Sequence, residues 1–260
     1  VPFHDREDRR YLTFDIFDSL PHAVFTRRGG VSPQPWASLN VGGGIGDEPE
    51  RVRRNRYLSF ETLGRSRDSI YDVWQVHSAE VVIAERARDP ETAYRQADAV
   101  LTDNPSVTLF MRFADCTPIL LHDPVRKVVG LVHAGWQGTV KGTLKAAVEA
   151  MRGRYGTDPA DLLAAIGPSI GPDHYEIGPD VIARVHEAFG QDAPGLLSRN
   201  GNGSTHFDLW AANRLWLEAA GVRRVETSAL CTACHLDDWF SHRAEHGRTG
   251  RFGALIALQP

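Results

Sequence analysis

The stretch Val107–His133, VTLFMRFADCTPILLHDPVRKVVGLVH, holds three apolar runs, Val107–Phe113, Pro118–His122 and Val128–His133, with no helical segment between any two of them. Short apolar runs bounded by turn residues read as strands. Consecutive strands without intervening helices argue against a regular βαβ repeat. Upstream, Ile70–Val76, Glu80–Ala84 and Ala99–Thr102 are further β-rich runs, and residues 12–28 suit one or two strands. Residues 29–49 are rich in glycine and proline and read as a loop, followed by a helix from about Glu50 to Leu63 that stops at Gly64. Downstream, Val140, Leu144, Ala147, Val148 and Met151 recur at helical spacing and predict a helix over Thr139–Tyr155. Helices over Pro179–Phe189 and Leu209–Ala220 and strands over Leu162–Ile166, Val225–Leu230 and Phe252–Leu258 complete the pattern. The expectation is an α+β fold with mixed β-sheets flanked by helices, residues 1–260 forming a single domain.

Composition narrows the partners. The chain has 260 residues, 42% hydrophobic and 24% charged, with a formal net charge of −4. A chain of this length buries about 70–75% of its unfolded surface and needs no disulfide or structural metal to fold. The charge balance argues against a nucleic-acid coat, which would carry a basic footprint. No apolar run reaches the roughly 18 residues of a membrane span, and the first ten residues lack the apolar segment of a secretion signal. The expectations are no nucleic acid, no membrane and a cytoplasmic location, with the oligomeric state open.

Three cysteines, Cys116, Cys231 and Cys234, are an odd number for a disulfide framework and suit free thiols, metal ligands or a nucleophile. Cys116 lies between two apolar runs, His133 ends a third, and His77 follows Trp74-Gln75-Val76. Two imidazoles and a thiolate make a zinc set with a fourth position for water or substrate. The separations of 39 and 17 residues match no short metal motif, and a Cys–His nucleophilic pair without metal is the competing reading. Asp98 and Asp115 each adjoin one of the strands and are the acids to watch, with turn and capping roles as the alternative. Cys231-Thr232-Ala233-Cys234-His235 spells a haem-attachment motif, and a Cys-x2-Cys-x7-His-x3-His finger can be drawn through His242 and His246. Both rank below a pair of reduced packing thiols, with a redox-sensitive pair as a further reading.

Several segments occur together in a recognisable order: Phe25-Thr26-Arg27-Arg28-Gly29-Gly30-Val31-Ser32, Gln75-Val76-His77, Ala97-Asp98-Ala99, Ala114-Asp115-Cys116-Thr117-Pro118, Val132-His133-Ala134-Gly135-Trp136 and Ile166-Gly167-Pro168. From about Phe25 to Leu258 the chain resembles the YfiH family, also called the laccase-domain or multicopper polyphenol oxidoreductase family, which includes purine nucleoside phosphorylases. The resemblance implies zinc held by His77, Cys116 and His133. It also implies phosphorolysis of purine nucleosides, methylthioadenosine included, and deamination of adenosine. Purine nucleosides and phosphate are then the expected partners, with Arg27 and Asn40 as substrate or phosphate contacts and Asp98 and Asp115 as candidate proton carriers.

The chain departs from the family pattern in three places. Trp136-Gln137-Gly138 stands where Trp-Arg-Gly is usual, Ser169, Asp173 and His174 stand where cysteines are frequent, and His242-Arg243-Ala244-Glu245 replaces a Tyr-Arg-Arg-Asp stretch. The alternatives are a copper-dependent phenol oxidase, a metal-free Cys116–His133 hydrolase, and a binding module in which zinc only ties strands together. The copper reading needs many clustered histidines, and none of the eleven here forms a His-x-His pair.

Overall fold

A computed structural model describes residues 1–18, 20–201 and 203–259. Two six-stranded sheets stack face to face. One has the strand order Phe3–Arg6, Arg9–Leu12, His22–Phe25, Phe252–Ala257, Thr108–Phe113, Ile70–Tyr71. The other runs Arg224–Thr227, Leu163–Ile166, Thr117–Asp123, Val128–Ala134, Ala99–Thr102, Val81–Ile83. Both are mixed: parallel pairs stand at both edges of the second sheet and at the Ile70–Tyr71 edge of the first, and the other pairs are antiparallel.

Side-chain alternation divides each central strand between two cores. Leu120, Val129 and Leu131 of the second sheet meet Leu109, Met111, Phe113, Phe252 and Ile256 of the first in a layer between the sheets. The opposite face of the second sheet, with Ile119, Leu121 and Val132, packs on Leu144, Ala147, Val148 and Met151 of the helix Thr143–Tyr155. The opposite face of the first, with Phe25, Phe110 and Leu255, packs on Leu58 and Phe60 of the helix Pro49–Thr62. Burial on both faces explains why the central strands read as continuous apolar runs rather than alternating ones. The α+β architecture with mixed sheets and flanking helices is therefore present.

Local differences have local causes. The helix expected over Thr139–Tyr155 is two helices, Trp136–Lys141 and Thr143–Tyr155, broken where Gly142 takes a left-handed conformation at φ 76°. Within Ile70–Val76 only Ile70 and Tyr71 pair as strand, and the rest leaves the sheet as a loop. A third, three-stranded sheet of Glu176–Ile177, Thr205–Phe207 and Leu197–Arg199 was not expected, because strands of two or three residues carry no usable periodicity.

Register decides where chemistry can occur. Thr117 pairs with Ala134 and Pro118 with His133, and His133 shares its strand face with Val129 and Leu131, toward the space between the sheets. A slip of one residue would turn His133 away. Leu120 is fully buried in that layer, so Leu120→Ala should cost about 2–5 kcal/mol in urea unfolding. A loss below about 1 kcal/mol would mean that the layer is not the close-packed core described.

Candidate metal centre

His77 and Cys116 come from two loops and His133 from the end of the strand Val128–Ala134, and the three meet at one end of the inter-sheet layer. Their donor atoms all lie within 4.8 Å of one another. Cys116 Sγ is 3.8 Å from His77 Nε2, and the two imidazole rings are 5.1 Å apart. Phe113 closes the inner side, its ring 5.4 Å from that of His133.

Asp98 builds half of this arrangement. It immediately precedes the strand Ala99–Thr102 and is completely buried. Its Oδ1 accepts from His133 Nδ1 at 2.8 Å, which leaves Nε2 of His133 as the nitrogen available to a cation. Its Oδ2 accepts from Val76 N, Ser78 N and Ser78 Oγ at 3.2, 2.6 and 2.9 Å. Those three donors flank His77, whose φ of 56° is left-handed. That conformation is unfavourable for a residue with a Cβ and persists where the surroundings fix it. Lys141 Nζ also donates to the His77 carbonyl at 2.7 Å, and Thr143 Oγ1 to that of Ser78 at 2.5 Å.

Asp115 does the same for the cysteine. It too has a positive φ, 79°. Oδ1 accepts from Thr232 Oγ1 and Oδ2 from Arg243 N, both at 2.7 Å, and its carbonyl accepts from Ile170 N at 3.0 Å. Three distant segments are thus tied to the residue beside Cys116.

Electrostatics follow from this packing. Burial alone would raise the Asp98 pKa, but the hydrogen bond and charge of His133, with the Ser78 donors, hold it at about 2. Burial would likewise raise the Cys116 thiol, yet the charges and hydrogen bonds of His133 and His77 bring it down to about 6. Burial opposes the charge on His133; the Cys116 charge and the Asp98 hydrogen bond outweigh it and raise the imidazole to about 9. Each partner thus shifts the other toward its charged form, lowering the thiol and raising the imidazole.

Arg27 and Asn40, expected to contact substrate or phosphate, are buried and hold the chain together. Arg27 Nε donates to Ala37 O at 2.8 Å, its Nη1 donates to Leu236 O and Glu245 Oε1 at 3.0 and 3.1 Å, and its guanidinium lies 4.4 Å over the Phe240 ring. Asn40 Nδ2 donates to Asp47 Oδ2 at 2.8 Å, and its Oδ1 accepts from Gly42 N and Arg251 N, both at 2.9 Å. Asn40 therefore reaches the centre through Arg251, whose side chain lies in the field of Cys116 and Asp115. Sequence reasoning assigned no role to Arg251, Arg243 or Tyr175. Arg243 lies 5.3 Å over the Tyr175 ring, and burial followed by the Cys116 charge pushes the Tyr175 phenol above its usual range. Nothing in one sequence brings Arg251, Arg243 or Tyr175 to Cys116, from which they are separated by 135, 127 and 59 residues.

The donor chemistry fits zinc. Bonds of about 2.3 Å to sulfur and 2.05 Å to nitrogen at tetrahedral angles place those donors about 3.6 Å apart, close to the 3.8 Å between Cys116 and His77. A ligating histidine whose other nitrogen donates to a carboxylate is the usual second layer of such a site. Gly135 supplies room, because a Cβ there would lie 2.5 Å from Cys116 Sγ and 3.3 Å from His77 Cδ2. Its φ of −78° suits any residue, so Gly135→Ala should leave folding intact while turning the thiol away. The expected result is at least a tenfold loss of zinc affinity in a competition titration, with an unchanged far-ultraviolet circular dichroism spectrum. Unchanged affinity would show that the thiol does not face the metal.

A family model described as multi-copper polyphenol oxidoreductase laccase matches residues 21–259. A purine nucleoside phosphorylase of Deinococcus radiodurans is 39% identical over 241 residues, 92% of this chain and 90% of the relative. One of Bacteroides thetaiotaomicron is 34% identical over 267 residues, 97% of each chain. The crystal structure of YlmD from Geobacillus stearothermophilus superposes with a TM-score of 0.92 at 34% identity, over 99% of each chain. That of the Bacillus licheniformis protein YfiH superposes with the same score at 32% identity, again over 99% of each chain. A match of that length, on both sequence and fold, makes this chain a member of the laccase-domain family, also known as the YfiH family.

Proposed function

We propose that the chain is a zinc-dependent purine nucleoside phosphorylase that also deaminates adenosine and cleaves methylthioadenosine. The observation that carries this reading is the convergence of one thiolate and two oriented imidazoles within 4.8 Å, in a chain whose relatives are named purine nucleoside phosphorylases. Residues 1–260 are read as one catalytic unit. Bound zinc would act as a Lewis acid, making a water acidic or polarising a substrate oxygen.

The chain's own groups divide the remaining work. Asp98, ionised well below neutral pH, keeps His133 in the tautomer that offers Nε2 and is read as a positioning residue rather than an acid. Asp115 is read the same way for Cys116, since both of its oxygens already accept hydrogen bonds. Arg251 and Arg243 supply cationic charge suited to phosphate, with Asn40 positioning the Arg251 backbone and Arg27 fastening the surrounding loops. In phosphorolysis a phosphate oxygen forms a bond to the ribose C1′ as the bond from C1′ to the purine nitrogen breaks. The electron pair leaves with the base, which takes up a proton. Tyr175, kept neutral by burial and the Cys116 charge, can offer the departing base a hydrogen bond, and the proton itself comes from a group of lower pKa or from solvent.

The family's descriptive name raises copper oxidation of phenols. Passing electrons to oxygen through several coppers calls for many clustered histidines, and this centre brings together two. The Cys116–His133 pair also resembles an activated nucleophile, but the second imidazole on the same sulfur suits a ligand set better than a hydrolytic pair.

The test is an assay of inosine and adenosine with and without phosphate, alongside zinc and copper quantified per chain. The expected products are hypoxanthine only when phosphate is present, and inosine from adenosine without it. Cys116→Ala and His77→Ala should abolish both activities and release the metal held by this centre. Asp98→Asn should weaken zinc binding about 10–100-fold. Stoichiometric copper with phenol turnover and no nucleoside turnover would overturn the proposal, as would full activity in Cys116→Ala.

A further inference from the structure

A second group of metal-competent side chains lies outside the centre described above and shares no residue with it: His174, Cys231 and Cys234. Sequence spacing pairs the two cysteines with His242 and His246. The fold instead delivers His174, 57 residues before Cys231. The segment 169–175 runs beside the segment 230–234, with Ser169 and Cys231 forming a parallel bridge and Thr232 N donating to Ser169 O at 3.0 Å.

The distances are those of a coordination shell. His174 Nδ1 is 3.7 Å from Cys231 Sγ and 3.5 Å from Cys234 Sγ, against about 3.6 Å for the sulfur–nitrogen edge of a tetrahedral zinc site. Gly171 N donates to Cys231 Sγ at 3.2 Å, the kind of hydrogen bond that stabilises a thiolate ligand. A Cβ at Gly171 would lie 3.1 Å from Cys231 Cβ and 2.9 Å from the Trp210 ring, so glycine is what allows this approach. Cys231 is buried whereas His174 and Cys234 are exposed, so a cation can reach the group from solvent.

We propose that His174, Cys231 and Cys234 form a second site, for a thiophilic cation of the zinc class, which staples the 169–175 segment to the 230–234 segment. Two sulfurs and one imidazole select such a cation over magnesium or calcium, which require oxygen ligands. The staple stiffens the two segments that hold Asp115, since Ile170 N donates to its carbonyl and Thr232 Oγ1 to its carboxylate. The site is structural and stands independently of the proposed catalysis.

The experiment uses the full chain, reduced, stripped of metal and reloaded with zinc or cobalt(II). Wild type should retain two equivalents of zinc after desalting. Cys116→Ser should retain one, and with cobalt should display a sulfur-to-metal charge-transfer band that is lost when His174→Ala or Cys234→Ser is added. Both added positions are exposed, and circular dichroism of each variant without metal checks the fold. Wild type that retains a single equivalent, absent from Cys116→Ser, overturns this inference and leaves the zinc reading of the first centre intact. A single equivalent kept in Cys116→Ser but lost in Cys234→Ser upholds this inference and removes the first centre. A Cys231–Cys234 disulfide in the intact mass, with no cobalt uptake by Cys116→Ser after reduction, also overturns it.

Discussion

The carboxylate of Asp98 is the constraint on which the centre depends. One oxygen fixes the His133 ring, and the other gathers the donors on either side of His77. Two imidazoles, one on a loop and one at the end of a strand, are thereby held by a single buried charge. A buried carboxylate is costly unless its oxygens are satisfied, and these accept four hydrogen bonds. The same bonds offset the left-handed conformation of His77. If Asp98 were lost, the loop and the ring would both be released, so its contribution to the site exceeds that of one hydrogen bond.

The two-sheet sandwich explains why Asp98 can do this. Ala99 pairs with Val132, which sets Asp98 beside His133, and His133 N donates to the Asp98 carbonyl at 2.7 Å. On the neighbouring strand, Thr117 pairs with Ala134 and brings Cys116 to the same end. Asp115 then ties Cys116 to the segments carrying Thr232 and Arg243. The packed interior acts as a rigid base: His133 projects from the end of a central strand, while His77 and Cys116 sit on the loops beside it, as is usual where a scaffold presents a site.

Much of the architecture was legible in Val107–His133, because strands buried on both faces leave continuous apolar runs and short gaps exclude helices. The loop at residues 72–78 was not. Its apolar residues suggest a strand, but Val76 and Ser78 direct their amides to Asp98 instead of to a sheet partner. Asp98 and Asp115 stood out through their position beside strands, yet only the hydrogen bonds suggest positioning rather than proton transfer. Arg27 and Asn40 were visible through family resemblance, and their buried internal bonds became visible only in three dimensions. The approach of His174 to Cys231 and Cys234 depends on the pairing of two loops and on the missing side chain of Gly171, which no local spacing encodes.

In the proposed function, His77, Cys116 and His133 together hold one catalytic zinc. A crystal structure of the protein loaded with zinc, with anomalous data on either side of the zinc edge, tests it most directly. An anomalous peak bonded to His77 Nε2, Cys116 Sγ and His133 Nε2 is expected, with Asp98 still accepting from His133 Nδ1. Catalytically active crystals with no metal among these three residues would contradict it.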